Sequence, residues 1–187
     1  MSPDPDSDLL DLVAKGDMTT ALRLLMKRHG AAVYRYCREN LRDVNLADDV
    51  HQQVFIEAHR DLATFKRRST VRSWIFGIAR HRVLDAAKSR RRAKTHIASG
   101  DATAVADPRP LPSELIDDAR LRQALRRCLD ALRAPVRAAL LLRFQQGFTF
   151  EDMATVCQKK PGTLQAQVKR ALPVLKTCIE ARTGGAL

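Results

Sequence analysis

The residues best suited to chemistry form a cationic run between residues 66 and 94, with eleven Lys or Arg against one acid, Asp85. This run carries +10 of the formal +12 charge of the 187-residue chain. Like charges this close repel one another, so the run favours a surface that a polyanion neutralises. Phe65, Trp74 and Phe76 lie in or beside it and offer rings on which bases could stack. The pattern indicates a nucleic-acid surface, and the alternative is a solvated face of a basic protein.

Metal, cofactor and enzyme chemistry find little support in the sequence. The five histidines show no HExxH or other ligand spacing, and the four cysteines form no CxxC pair. We therefore predict no metal and no cofactor. We expect the cysteines to be small buried hydrophobes in a reducing compartment, because their spacing indicates no disulfide framework. No paired carboxylates accompany the basic run and no nucleophile has an evident base, so a nuclease is disfavoured and we predict no enzyme activity.

The elements that must position the cationic run are helices. Nearly every segment repeats apolar residues at helical spacing and none alternates like a strand, which predicts an all-α fold. Residues 95–113 contain Gly100 and three prolines without periodicity, so we predict a flexible linker between domains at 8–94 and 114–183. The longest apolar stretch, 138–142, is far shorter than the roughly 18 residues of a membrane span. With no signal peptide evident, we expect a cytoplasmic protein.

Capping residues predict where several helices begin. Asp17 is suited to start one helix, Asn45 with Asp48 has the spacing of a capping box, and Thr149 with Asp152 has the same spacing. The short helix after Thr149 is followed by a tight break and a helix that begins at Pro161 and carries a polar, basic face. This arrangement predicts a helix-turn-helix in the second domain.

These features resemble the extracytoplasmic-function group of the sigma-70 family of bacterial RNA polymerase initiation factors. The matching motifs are DVHQQVF at 49–55, VRSWIFGIAR at 71–80, Leu84-Asp85, and the helix-turn-helix after a linker. The resemblance implies a chain that directs core RNA polymerase to promoters, recognising the −35 element with the second domain and melting the −10 element with the first. It also implies control by an anti-sigma factor wedged between the domains. An autonomous helix-turn-helix regulator is the alternative.

The resemblance assigns the −10 element to the cationic run. The loop 66–70 is expected to capture a base, and the following helix to recognise the −10 region. Core packing is the alternative role for Trp74, and His81 stands where the family often has Asn. The candidate −10 contacts are Lys66, Arg67, Arg68, Ser69, Arg72, Trp74, Arg80, His81 and Arg82.

The second domain is expected to place the N-terminal part of its last helix in the major groove, where Gln can pair with adenine and Arg or Lys with guanine. The turn before this helix departs from the family: Gln158, Lys159 and Lys160 replace the usual glycine, apolar residue and capping Ser or Thr. The candidate −35 contacts are Lys160, Thr163, Gln165, Ala166, Gln167, Lys169 and Arg170.

A third candidate surface lies on the predicted helix 45–62, whose polar face is acidic and would repel DNA. A protein partner is therefore expected, and the resemblance implies a coiled coil of the largest catalytic polymerase subunit. The alternative is an ordinary solvated face, because acids near a helix N-terminus are also favoured by its dipole. The candidate polymerase contacts are Asp48, Asp49, Gln52, Gln53 and Phe55.

Overall fold

The computed structural model describes residues 5–96 and 119–184, and these residues form eight α-helices and no strand. The helices of the first segment are α1 (Ser7–Ala14), α2 (Met18–Leu41), α3 (Val44–Leu62) and α4 (Val71–His96). Those of the second segment are α5 (Ala119–Ala131), α6 (Ala134–Leu140), α7 (Phe150–Cys157) and α8 (Pro161–Thr183), and a π-helical segment (Leu141–Gln145) continues α6. The all-α prediction is confirmed. The predicted linker lies outside the described residues except for its first two, which end α4.

Two of the three predicted helix starts are confirmed. The Asp17 carboxylate accepts a hydrogen bond from the Thr20 backbone N at 3.1 Å and begins α2. Thr149 and Asp152 exchange both hydrogen bonds of a capping box at the start of α7. Each cap satisfies backbone N–H groups that have no partner inside the helix.

The predicted capping box between Asn45 and Asp48 is wrong, because α3 begins earlier. Arg42 adopts a left-handed conformation with φ 55° and ends α2, and the next residue, Asp43, is extended. The Asp43 carboxylate accepts from the Leu46 backbone N at 3.1 Å and caps α3. The turn between α2 and α3 is thus shorter than the sequence pattern indicated.

One apolar core runs through both segments. In the first segment it lies between α2, α3 and α4, and in the second it lies between α6, the π-helical segment, α7 and α8. The two parts join where the Phe76 ring of α4 meets the Phe148 ring edge to face, at 5.1 Å between centroids. Both rings are fully buried, and burial of a Phe side chain contributes about 1.5–3 kcal/mol. The two segments therefore pack directly on each other through α4 and α7.

A disulfide between Cys128 of α5 and Cys178 of α8 ties the second segment together. The expectation that all four cysteines are buried thiols is therefore wrong for this pair and confirmed for Cys37 and Cys157. The two bonded residues are 50 apart in sequence and 5.8 Å apart between Cα atoms. They meet because α5 packs along α8, a tertiary contact that sequence spacing does not reveal.

Candidate nucleic-acid interface

The loop before α4 is anchored at both ends and exposed in the middle. The Thr70 hydroxyl accepts a hydrogen bond from the Ser73 backbone N at 3.1 Å, and half-buried Ser69 donates weakly to the Thr70 carbonyl at 3.3 Å. Arg67 has φ 51°, and its guanidinium reaches the Leu10 carbonyl at 3.4 Å. The exposed side chains of the loop are those of Lys66, Arg67, Arg68 and Thr70. The loop is thus held in place while its three cations remain accessible.

The aromatic residues near this loop differ in their exposure. Phe65 and Trp74 are both half-buried and pack on each other at 5.2 Å between ring centroids. Trp74 therefore packs against the core and keeps part of its ring at the surface, so both roles considered for it remain open. Phe76 is fully buried and has no face available for a base.

Arg72 of α4 is engaged by the second segment. Its guanidinium donates a short hydrogen bond to the main-chain carbonyl of Gln146. It also lies over the Phe148 ring, with Cζ at 4.2 Å from the centroid, within the range of a cation–π interaction. Two groups of the second segment thus hold a side chain that the sequence analysis assigned to DNA.

Arg80, about two helical turns further along α4, is half-buried at the same inter-segment contact. Its Nε is buried with no hydrogen-bond partner among the described groups, and its side chain lies beside the Cys157 thiol. Burial raises the pKa of Cys157, while the neighbouring charges of Arg80 and Lys159 lower it in part. Arg80 is therefore also directed toward the second segment.

The remaining two α4 candidates lie away from the second segment. Arg82 donates from Nε to the Glu57 carboxylate of α3 at 2.6 Å. His81 is 66% exposed and lies 3.6 Å from Asp85 on the next helical turn. Of the α4 candidates, the one most open to solvent is therefore His81.

The acidic face of α3 is accessible as the sequence suggested, with one exception. The exposed members of the candidate set are Asp48, Asp49, Gln52 and Gln53. Phe55 is only 5% exposed, and its ring packs against His51 at 5.0 Å. Beside this face lies an apolar groove of about 450 Å³ between α2 and α3, whose lining includes Met26 and Ile56. Phe55 forms part of that lining, so its ring is a wall of the groove and does not protrude from the α3 face.

The candidate contacts on α8 are largely open to solvent. Leu164, Val168 and Ala171 face the core. Gln167 is half-buried and donates from Nε2 to the Pro135 carbonyl of α6 at 3.3 Å. The exposed candidates are Lys160, Thr163, Gln165, Ala166, Lys169 and Arg170. The first turns of α8 thus present two amides and several cations on one side, with one amide already paired to the protein.

The turn between α7 and α8 keeps a helix-turn-helix geometry despite its unusual residues. Gln158 ends α7 in the left-handed conformation, φ 53°, at the position where glycine is common. Lys160 precedes α8 without a side-chain cap, and Pro161 occupies the first turn, where its missing N–H has no cost. The departure from the usual turn residues changes the capping but not the course of the chain.

Comparison with known proteins gives two family models that match in chain order: Sigma-70 region 2 over residues 25–93, and Sigma-70, region 4 over residues 122–172. The ECF RNA polymerase sigma factor SigC of Mycobacterium tuberculosis is 32% identical over 168 residues, covering 87% of this chain and 84% of SigC. The RNA polymerase sigma-H factor of Pseudomonas aeruginosa is 27% identical over 187 residues, covering 96% of each chain. The chain belongs to the extracytoplasmic-function sigma factors.

Solved structures agree with this sigma factor in fold. CnrH, in complex with the cytosolic domain of CnrY, superposes with a TM-score of 0.71 at 23% identity over 95% of this chain and 99% of that one. RpoE of Bartonella quintana, in complex with the anti-sigma factor NepR, superposes with a TM-score of 0.65 at 22% identity. The match covers 88% of this chain and 97% of the RpoE chain. As a sigma factor the chain directs core RNA polymerase to promoters, and the hypothesis of an autonomous regulator is set aside.

Sequence reasoning missed the residues of this sigma factor that join its two segments. Gln146, Phe148 and Asp130 were not singled out, although each contacts the first segment. Phe148 follows a glycine and reads as an ordinary core residue, so no local signal marked it.

In the part of the chain that the structure describes, no three His, Cys, Asp or Glu side chains group to hold a metal ion. No helix among residues 5–96 and 119–184 has the length and apolar character to cross a bilayer.

Proposed function

We propose that this sigma factor divides its work among three surfaces. The loop 66–70 and α4 receive the melted −10 strand, the first turns of α8 recognise the −35 duplex, and the acidic face of α3 docks on core polymerase. We further propose that it contributes promoter specificity rather than catalysis, in the cytoplasm where RNA polymerase acts, and that its two functional domains span residues 8–94 and 114–183.

The observation that supports this division best is the separation of charge between α3 and α8. Exposed Asp48 and Asp49 give the α3 face a negative potential, which DNA phosphates would repel and a basic protein surface would attract. The exposed face of α8 has the opposite sign, with Lys160, Lys169 and Arg170 around the amide of Gln165. Cations that neutralise phosphates and an amide that can pair with a base edge suit a −35 duplex.

An anti-sigma factor is proposed as a further partner. Two proteins of similar fold were solved with binding partners, one of them the anti-sigma factor NepR. The sequence analysis expected such a partner to be wedged between the domains. Because Phe76 and Phe148 are in direct contact here, we propose instead that the partner binds around the outside of the packed segments.

In vitro transcription with purified core polymerase on genomic fragments tests the proposal. We expect new transcripts when the chain is added, and fewer with the Asp49→Ala/Gln52→Ala double variant because it loses part of the polymerase surface. Arg60→Ala is the matched control, since Arg60 is 70% exposed at the other end of α3 and pairs with Asp61. Equal core affinity for the double variant and the wild type in a pull-down contradicts the role of α3, and no new transcripts with any variant contradicts the function.

A further inference from the structure

The start of α1 is held on α2 by the side chain of Arg28. The Arg28 guanidinium donates to the Pro5 carbonyl at 2.9 Å and to both carboxylate oxygens of Asp8, at 2.7 and 2.5 Å. It also lies 3.3 Å from the Asp6 carboxylate. The two-pronged pair lowers the pKa of Asp8 and raises the pKa of Arg28. We call Pro5, Asp6, Asp8 and Arg28 together the α1 clamp.

The α1 clamp is more than a surface ion pair, because Asp6 is buried. The Asp6 side chain is 3% exposed, and one of its oxygens lies 3.3 Å from both Arg28 Nη1 and His29 Nε2. A buried carboxylate depends on such partners, since the loss of one leaves a charge without compensation. The exposed pair with Asp8 would contribute little by itself. Loss of Arg28 is therefore expected to displace the start of α1.

Helix α1 also contacts the candidate base-capturing loop 66–70. The Arg67 guanidinium donates to the Leu10 carbonyl of α1 at 3.4 Å. Arg67 has φ 51°, a conformation that non-glycine residues keep only where their surroundings fix the backbone. Leu10 is itself buried where α1 packs on α2. The position of α1 thus acts on the loop through a residue whose backbone needs support.

The α1 clamp and the end of the loop meet at one cavity. This cavity of about 390 Å³ is lined by Asp6 and Arg28 of the clamp and also by Thr70 and Ser73. Thr70 and Ser73 fix the start of α4, because the Thr70 hydroxyl accepts from the Ser73 backbone N at 3.1 Å and lies 3.0 Å from the Ser73 hydroxyl. A shift of the clamp would remove one wall of the cavity. Helix α1 and its clamp therefore adjoin the loop at two places, Arg67 and Thr70.

We propose that Arg28 is a positioning residue for the base-capturing loop and that it acts through α1. Arg28 holds α1 on α2, and α1 in turn supports Arg67 and the cavity beside Thr70. This inference rests on the proposed role of the loop 66–70 in binding the melted −10 strand. Arg28 remains paired with its acids and does not contact the strand. A loop that is held less firmly spends less time in the binding conformation, which lowers its affinity for the strand.

Four variants of the full chain separate positioning from charge. Arg28→Gln and Asp8→Asn break the α1 clamp from opposite sides and change the net charge in opposite directions. Lys15→Gln and Asp11→Asn are the matched controls, because they make the same two charge changes at exposed positions, Asp11 on α1 and Lys15 at its C-terminal end. Far-UV circular dichroism identifies any variant that fails to fold. If Arg28→Gln does so, Asp8→Asn decides.

Trypsin cleavage reports on the loop without any DNA. The loop offers cleavage sites after Lys66, Arg67 and Arg68, and mass spectrometry of the peptides that end there gives the initial rates. We expect cleavage about fivefold faster in Arg28→Gln and about twofold faster in Asp8→Asn than in the wild type, because local opening exposes the loop backbone. The two controls should match the wild type. Wild-type rates in both clamp variants overturn the coupling of α1 to the loop.

Strand binding tests the consequence for the promoter. Fluorescence anisotropy measures the affinity of each variant, assembled with core polymerase, for a labelled single-stranded 20-mer of mixed sequence. We expect the affinity to fall about threefold in Arg28→Gln and by a smaller factor in Asp8→Asn. Charge alone would instead make Asp8→Asn bind more tightly, like Asp11→Asn, and Arg28→Gln more weakly, like Lys15→Gln. That result overturns the positioning role.

Arg68→Ala distinguishes a failure of this inference from a failure of the proposed function. Arg68 is exposed in the loop and is not part of the α1 clamp. If Arg68→Ala weakens strand binding while Arg28→Gln and Asp8→Asn behave like their controls, only the positioning role is wrong. If Arg68→Ala has no effect, the loop does not bind the strand, and the trypsin rates still decide whether Arg28 holds the loop in place.

Discussion

The α4 surface and the α8 surface are both cationic helix faces, yet the fold treats them in opposite ways. On α4, Arg72 and Arg80 face the second segment and Arg82 is paired with Glu57. On α8, Gln165, Lys169 and Arg170 are exposed. Under the proposed function, the exposed α8 face meets duplex DNA, which is present before melting. The α4 face is proposed to receive unpaired bases, which are absent before melting, and three of its arginines contact groups of the protein instead.

The largest expected effect is on the stability of the segment that carries the α8 surface, because the disulfide holds α8 against α5. Its reduction should lower the free energy of unfolding by about 2–4 kcal/mol, because a cross-link between residues 50 apart restricts the unfolded chain. Urea unfolding with and without dithiothreitol, followed by circular dichroism, measures the change. The Cys128→Ser/Cys178→Ser variant is the control and should not respond to the reductant. An unchanged midpoint for the wild type would show that the cross-link does not support α8.

The next effect concerns the two amides of α8. Gln165→Ala should cost about 1–3 kcal/mol in binding to a preferred −35 sequence, because a bidentate pair with a base is lost. Gln167→Ala should change sequence preference less, since the Gln167 amide already donates to the Pro135 carbonyl. Transcription from promoters with altered −35 bases, ranked for each variant, measures the difference. An identical ranking before and after Gln165→Ala contradicts base recognition by α8.

The smallest effect tests whether pairing within the protein restrains α4. Glu57→Gln removes the charge that holds Arg82, and should lower stability by about 1 kcal/mol or less while strengthening single-strand binding slightly. Asp61→Asn is the matched control, because Asp61 pairs with Arg60 on α3 and not with α4. Fluorescence anisotropy of a labelled strand measures the binding. The same gain in both variants would mean that net charge, and not the release of Arg82, is responsible.

Much of the second segment could be predicted because its signals are local. Thr149 and Asp152 form the predicted capping box, and Pro161 begins the predicted helix. The candidate face of α8 follows from helical periodicity, since Leu164, Val168 and Ala171 turn inward and Gln165 and Lys169 turn outward. On this face, the engagement of Gln167 with α6 required the tertiary structure.

The first segment was harder to predict, even though its charge was the most obvious feature of the sequence. Charge alone cannot distinguish an arginine that faces solvent from one that faces another helix. His81 and Arg80 are adjacent, yet one is exposed and the other lies against Cys157. Likewise, Phe55 belongs to an acidic, exposed motif but is buried beside His51.

The sequence by itself determined the all-α class, the helix caps at Asp17 and Thr149, the family and the opposite charges of α3 and α8. These depend on interactions within a few residues or on composition. The tertiary structure decided which cations are available, because Arg72 meets Gln146 across 74 residues and Cys128 bonds Cys178 across 50. Such pairs form only when the cores of both segments pack together, and packing depends on the shapes of many side chains at once.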